Sequence, residues 1–335
     1  MADFGKTDNN VKEDRVARVL YMFDRLQRGD GISKKEMVNK FHVSGKSIQR
    51  DIDTIREYIF FYSVDAFIEL DSTISYNKEK DEYFWKNRNN MLLTEKEIAI
   101  LSTILLESRS LPVSDVERIL KKMYIQCGHE EEKKIEALIK NELFNYVPPK
   151  HGKNPAELLY GLIEAKRQSV ITEIQYKKIG AESYQKVLVK PLGIMFDQYY
   201  FYLIAENEGE DKKIIAYRID RMEGIKSTGR HFKQNHAERF QEGKLRQEAH
   251  FMHLGERIKV RFRFWGKSLE AVLDRLPNAK VLEENKDGAI IEAVVYGKGA
   301  KMWFLSQAEY LEVLSPEEYR EEMKNSIKKM LENYC

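Results

Sequence analysis

The sequence predicts an α+β chain of several domains: a winged helix-turn-helix, a helical linker, a small antiparallel sheet or barrel, and a ferredoxin-like α/β sandwich. Three observations lead there. Apolar residues recur at helical spacing from Val16 to Leu143, broken by one hairpin-like stretch at residues 73–85. Beyond Pro155 the period drops to two, in short runs divided by polar turns. Residues 251–335 then follow a βαββαβα-like order, the pattern of a small α/β sandwich. With 335 residues there is room for two or three domain cores, and the expected divisions are 1–85, 86–150, 151–250 and 251–335.

Val16, Val19, Leu20, Phe23 and Leu26 give the first helix its apolar stripe, and Arg28-Gly29-Asp30-Gly31 stops it. Ser33 is placed to cap a second helix, with Glu36 reaching back as in a capping box. His42-Val43-Ser44 is a turn of helix-turn-helix length. Ser44 then caps a third helix whose residues Ile48, Ile52, Ile55 and Ile59 form one apolar face. Its other face carries Lys46, Gln49, Arg50 and Asp53. An ordinary amphipathic surface helix would look the same. What favours DNA is the order, since residues 73–76 and 82–85 flank a polar turn and supply the hairpin of a wing. Ser44, Lys46, Ser47, Gln49 and Arg50 are therefore expected to meet a double-stranded operator in its major groove, with Lys78 and Lys80 on phosphate. Asp51 is expected to pair with a basic residue of the same domain.

The segment Val43-Ser44-Gly45-Lys46-Ser47-Ile48-Gln49-Arg50-Asp51-Ile52 resembles the helix-turn-helix of bacterial DeoR-type regulators, with their Arg-Asp-Ile/Leu triplet in the recognition helix. That resemblance covers about the first 85 residues and implies DNA binding. Gross charge adds little. The chain carries a net charge of +2, and its first 60 residues hold 12 Lys or Arg against 10 Asp or Glu, so binding must depend on where charges lie.

Two distant cysteines, Cys127 and Cys335, suggest no disulfide framework, and no apolar run reaches the length of a membrane span. A cytoplasmic protein with reduced thiols is expected, with residues 1–10 polar and frayed. Thr94 and Glu97 form a second capping box, followed by a stripe of Ile98, Leu101, Ile104 and Leu105. Two further helices run through Val116, Ile119, Leu120 and Met123, and through Ile135, Leu138, Ile139 and Leu143. They serve as a spacer or part of a dimer interface. Residues 147–155, rich in Pro, Gly and Lys, mark the chief boundary. One helix (156–166) then precedes strands at 171–176, 184–189, 199–205 and 213–219, with no βαβ pattern and hence no nucleotide-binding α/β core.

Val189-Lys190-Pro191-Leu192-Gly193-Ile194, Tyr199-Tyr200-Phe201-Tyr202-Leu203-Ile204-Ala205 and Tyr217-Arg218-Ile219-Asp220-Arg221-Met222 resemble the core of a WYL domain. Phe201 stands where that family has Trp, and Met222 where it has Ile. The resemblance covers about residues 155–232 and implies an Sm/SH3-like β-barrel sensing a nucleotide or single-stranded nucleic-acid effector. Physically, Tyr176, Tyr199, Tyr200 and Tyr202 offer rings for stacking, while Lys190, Arg218 and Arg221 offer cations for phosphate. Tyr200 and Tyr202 share one strand face, Tyr199, Phe201 and Leu203 the other. The competing reading makes the aromatics core and pairs Arg218 with Asp220.

In the last segment, 258–264 alternates as a strand with Lys259, Arg261 and Arg263 on its polar face. A helix at 267–276, a strand at 289–295, a helix at 300–306, a strand at 311–314 and a final helix after Pro316 complete it. Trp303-Phe304-Leu305 and Leu311-Glu312-Val313-Leu314-Ser315-Pro316-Glu317 resemble the C-terminal extension that follows WYL domains, which implies a homodimer and a completed ligand site. The basic strand face could meet nucleic acid or be merely solvated.

No catalytic constellation emerges. His250 with His253, and Cys127-Gly128-His129, lack the three or four ligands of a metal site. Gly297-Lys298-Gly299-Ala300-Lys301 lacks the Gly-Lys-Ser/Thr ending of a phosphate loop, and Ser306 lacks a nucleophile-elbow context. The expectation is a transcriptional regulator without cofactor, metal or membrane partner. Its rivals are a single-stranded nucleic-acid or RNA-binding protein using the barrel as reader, and an interaction protein whose winged helix binds another protein.

Overall fold

A computed structural model of the protein describes residues 15–65, 73–86, 93–125, 129–209, 213–233 and 240–335. The frayed start expected at 1–10 and the Cys127-Gly128 pair lie outside the described residues. The chain forms two compact units, Met1–Pro148 and Pro149–Cys335, a coarser division than the four segments read from the sequence. Both belong to a mixed α/β architecture with antiparallel sheets.

In the first unit, α1 (Arg15–Arg28), α2 (Lys34–Phe41) and α3 (Gly45–Asp65) enclose a core of Met22, Leu26, Met37, Ile48, Ile52, Ile55 and Ile59. The four isoleucines of α3 are at most 1% exposed, and each contributes on the order of 2 kcal/mol through its burial. The hairpin β1 (Thr73–Asn77) and β2 (Glu82–Lys86) adds Ile74, Tyr83 and Trp85 to that core. Ile32 and Tyr83 exchange backbone hydrogen bonds of 2.8 Å in both directions, which ties the hairpin to the α1–α2 loop.

Two local expectations are corrected here. Val16 and Leu20 are 60% exposed, and the face of α1 turned inward carries Arg18, Met22 and Leu26. The rotation follows from charge: Arg18 Nε donates to buried Asp51 Oδ2 at 2.7 Å, while Arg15 Nε reaches Oδ1 at 3.0 Å. Ser33 sits at the start of α2 but makes no side-chain cap, and Glu36, expected to reach back to it, is in an ion pair with Arg25 instead.

Helices α4 (Glu95–Ser108), α5 (Val113–Tyr124) and α6 (His129–Phe144) form a second core of Ile98, Leu106, Val116, Leu120, Tyr124, Ile135 and Ile139. The Thr94–Glu97 capping box is present. Leu101, Ile104 and Leu138 are exposed, contrary to the expected stripes, since three short helices share one narrow seam and α4 turns Ile98, Ser102 and Leu106 into it.

In the second unit, α7 (Ala156–Arg167) packs on a five-stranded antiparallel sheet. Its strands are β3 (Val170–Tyr176), β4 (Gln185–Asp197), β5 (Tyr200–Asn207), β6 (Ile214–Arg218) and, after a 3-10 turn at Ile219–Arg221, β7 (Met222–His231). The order is β6-β5-β4-β3-β7, and the end strands β6 and β7 do not pair, so the expected closed barrel is an open sheet. Irregularities at Pro191/Gly193 and Gln175/Tyr176 interrupt the ladders, and Leu162 of α7 enters the core alongside Ile174, Val189, Leu203 and Tyr217. A helix thereby supplies burial that a closing ladder would give. The sheet is covered on its other face too, where α8 (Glu242–Glu248) brings Leu245 against Met195 and Ile204.

The remaining elements are β8 (Arg257–Phe264), α9 (Leu269–Arg275), β9 (Lys280–Asn285), β10 (Gly288–Tyr296), α10 (Gly297–Ser306), β11 (Leu311–Ser315) and α11 (Glu317–Glu332). The four strands form an antiparallel sheet ordered β11-β8-β10-β9. Val260, Phe262 and Phe264 of β8 enter the core beside Ile291, Val295 and Phe304. On the opposite face Lys259 and Arg261 share the single carboxylate of Glu292, at 3.0 and 2.7 Å, so the row keeps a net positive charge.

Two stability experiments follow. Asp51→Ala leaves Arg18 buried without its counter-charge and is expected to cost about 3–5 kcal/mol in urea unfolding. His250 is 2% exposed between the carbonyls of Glu248 and Arg275, and burial lowers its pKa from the ordinary 6.5. Below 6.5 the unfolded chain therefore binds more protons than the native one. Stability should fall as pH drops through that value, and His250→Asn should flatten the slope measured by unfolding on either side of it.

Candidate functional site

On the first unit, the start of α3 is fixed by Ser44, whose Oγ accepts from the Ser47 amide at 3.2 Å. The two hydroxyls also lie 3.0 Å apart, so Ser44 and Ser47 hold each other. Lys46 and Arg50 are exposed, and among the described residues their side chains have no partner. Lys78 and Lys80 are exposed in the hairpin turn, shaped by Asn77 Oδ1 accepting from the amides of Glu79 (2.9 Å) and Lys80 (3.2 Å).

Gln49 differs from these four. Its amide donates to Asp53 at 3.0 Å and its carbonyl oxygen accepts from the Tyr83 hydroxyl at 3.2 Å. Asp53 also accepts from Arg56 at 2.7 Å, and Arg56 donates to the Ile74 carbonyl at 3.2 and 3.3 Å. The Lys34 ammonium stands 5.2 Å from the Tyr83 ring centroid. Gln49 thus belongs to a clamp between α3 and the hairpin, and contacting a base would mean leaving it. Sequence reasoning overlooked the roles of Arg56 and Tyr83; Arg56 had a signal, lying three residues beyond Asp53 on the helix, whereas only the fold brings Tyr83 to Gln49.

On the second unit, the Arg218 guanidinium lies 3.3 Å above the Tyr200 ring centroid. Its Nε and Nη2 donate to Asp220 at 3.0 and 2.8 Å, a two-pronged pair of the strong kind. Tyr202 faces Arg218 across the β5–β6 ladder, and burial pushes its phenol up to about 12 against the opposing pull of Arg218. The His151 ring stands 6.1 Å from Tyr200, its pKa lowered by burial while the Asp220 charge works the other way. Arg221 is partly exposed on the 3-10 turn. Its carbonyl accepts from the Lys177 amide at 3.0 Å, and its guanidinium has no partner among the described residues.

Two of the expected ligand residues lie elsewhere. Tyr176 is 8% exposed, edge-on to Tyr217 at 4.9 Å, and is core because β3 turns it inward. Lys190 is occupied by Glu206, directly opposite on β5. Tyr200, Tyr202 and Arg218 remain as a cluster, with Arg221 following on the turn. His151 joins from the boundary segment, where no sequence signal marked it. The arrangement offers aromatic faces, one neutralised arginine and one available arginine, which suits a flat ligand with a modest negative charge.

Among the described residues no helix is long and apolar enough to cross a membrane. Comparison with known proteins places two domains. No curated protein matches the chain. Solved structures similar to it include proteasome accessory factor B/C (PafBC) of Arthrobacter aurescens, at 18% identity and a TM-score of 0.28, covering 96% of this chain and 48% of that one. A CRISPR Cas-related protein is 15% identical with a TM-score of 0.36, covering 96% of this chain and 83% of that one. The chain thus spans about half the length of the first. Residues 157–227 match the WYL domain and residues 256–331 the WCX domain. The protein therefore carries a WYL domain followed by a WCX domain.

Proposed function

We propose that this chain is a DNA-binding transcriptional regulator, in which residues 15–86 act as a winged helix-turn-helix and the WYL domain senses a nucleotide or nucleic-acid ligand. The observation that carries the reading is the pair Lys46 and Arg50, charged and unpartnered on a helix whose opposite face is locked into the core. An exposed arginine near a recognition-helix start reads guanine; lysines at a wing tip meet phosphate. The DeoR-type resemblance of residues 43–52 supports the same assignment. One such unit seldom supplies enough contact alone, so the working form is a homodimer on paired half-sites. Ligand near Arg221, Arg218 and Tyr200 then shifts the population of dimers whose half-site spacing fits the operator.

The stacked Tyr200–Arg218 pair favours a second reading, a single-stranded nucleic-acid reader centred on the WYL domain. The two readings diverge under substitution. Selection of bound fragments from random duplex DNA should yield a preferred site, at which Arg50→Ala costs about 1–3 kcal/mol and relaxes specificity. Lys78→Ala and Lys80→Ala should each weaken all sequences alike and lower the salt slope by about 1. Gln49→Ala should accelerate amide exchange across β1 and β2 by loosening the clamp. Duplex affinity unchanged in a Lys46→Ala, Arg50→Ala double variant defeats the regulator reading; single-strand affinity lost only with Arg221→Ala would establish the other.

A further inference from the structure

The second unit also holds a cavity of about 620 Å³ beside α9 and α10, lined by none of Tyr200, Tyr202, Arg218 and Arg221. Four of its twelve lining residues are aromatic, Phe251, Phe264, Trp303 and Tyr310, and Lys267 and Arg275 are among the others, with no carboxylate. Gln198, in the β4–β5 turn, contributes one further wall. The donors here are unspent. Among the described residues the Lys267 ammonium, the Arg275 guanidinium, the Trp303 indole N–H and the Tyr310 hydroxyl have no hydrogen-bond partner. Arg275 rests with its Cζ 5.6 Å from the Phe251 ring centroid, and Asp197 lies within its electrostatic reach without pairing.

The cavity is held open by backbone as well as by side chains. Phe251 sits at φ 53, a left-handed conformation that a bulky residue keeps only when its surroundings enforce it. Next to it α10 packs closely: a Cβ on Gly299 would fall 2.1 Å from the His250 carbonyl oxygen, so only glycine lets the helix approach this closely. That approach sets Trp303 next to His250, ring centroids 6.1 Å apart, and so beside Phe251.

We propose that this cavity binds a small planar aromatic carboxylate, its ring against Trp303, Phe264 and Phe251 and its acid group at Arg275 and Lys267. Lys267, Arg275 and Tyr310 are exposed at the rim, and cations without a protein partner beside aromatic rings suit an acceptor-bearing anion with a flat, apolar body. With Asp197 close by, the two cations leave roughly one positive charge to be met, which a carboxylate does. A nucleotide monophosphate is the poorer match, because its two phosphate charges exceed the roughly one positive charge left uncompensated here. The site is independent of the DNA-binding reading.

Isothermal calorimetry on the full chain with benzoate, indole-3-acetate and adenosine 5′-monophosphate tests this. The two aromatic acids are expected to bind and the nucleotide not. Arg275→Gln should weaken the acids about tenfold, the loss of one charge-assisted pair, while Arg167→Ala on the surface of α7 changes nothing. Circular dichroism checks the fold; should Arg275→Gln unfold, Lys267→Ala, at an exposed position, must show weakened binding instead. Absence of heat with either acid, binding that survives both substitutions, or binding of the nucleotide in place of the acids overturns the proposal.

Discussion

The carboxylate of Asp51 is the constraint on which the first unit turns. It is 1% exposed and accepts from two arginines of a different helix, so α1 and α3 cannot rotate independently. Arg18, itself nearly buried, takes the inward position that an apolar residue would otherwise hold, and Val16 and Leu20 are left outside as a result. Taking two charges out of water is expensive, and hydrophobic replacement of such pairs is often no less stable. What the pair provides is register between helices: it ties α1 to the side of α3 that the four isoleucines already turn to the core, the side away from Lys46 and Arg50.

A comparable constraint operates in the WYL domain through strands buried on both faces. Leu203 and Ala205 of β5 enter the core beneath α7, while Ile204 packs under α8. A strand covered twice cannot slip by one residue without exchanging its two faces, and this pins Tyr202 opposite Arg218. The Arg218–Asp220 pair then aims the guanidinium plane at Tyr200, so that ring, cation and acid form one preset surface. Arg221 stands apart from it, with its guanidinium uncommitted.

Much of this was legible in the sequence, and the failures have physical causes. The isoleucines of α3, the Thr94–Glu97 box, the hairpin with its lysine tip and the alternation of β8 are local patterns, each set by the period of its own element. Errors arose where a distant partner decided. Glu36 abandons its cap for Arg25, α1 rotates to serve Asp51, and Tyr176 turns inward against Tyr217. His151 could not have been found from its own neighbourhood, because only the fold brings it to Tyr200. Strand β7 and helix α8 escaped notice for a related reason: their buried residues are few, and the apolar signal was too thin to stand out from the polar surroundings.

The clamp built on Gln49 has an evolutionary corollary. A side chain that fastens the hairpin to α3 is poorly suited to drift, since any exchange made to suit a new target would also unfasten the hairpin. Lys46 and Arg50 carry no such structural duty. If the proposed DNA contact holds, relatives diverging toward other binding sequences should vary at those two positions while keeping glutamine at the third, a division of labour in which one residue preserves the frame and its neighbours explore.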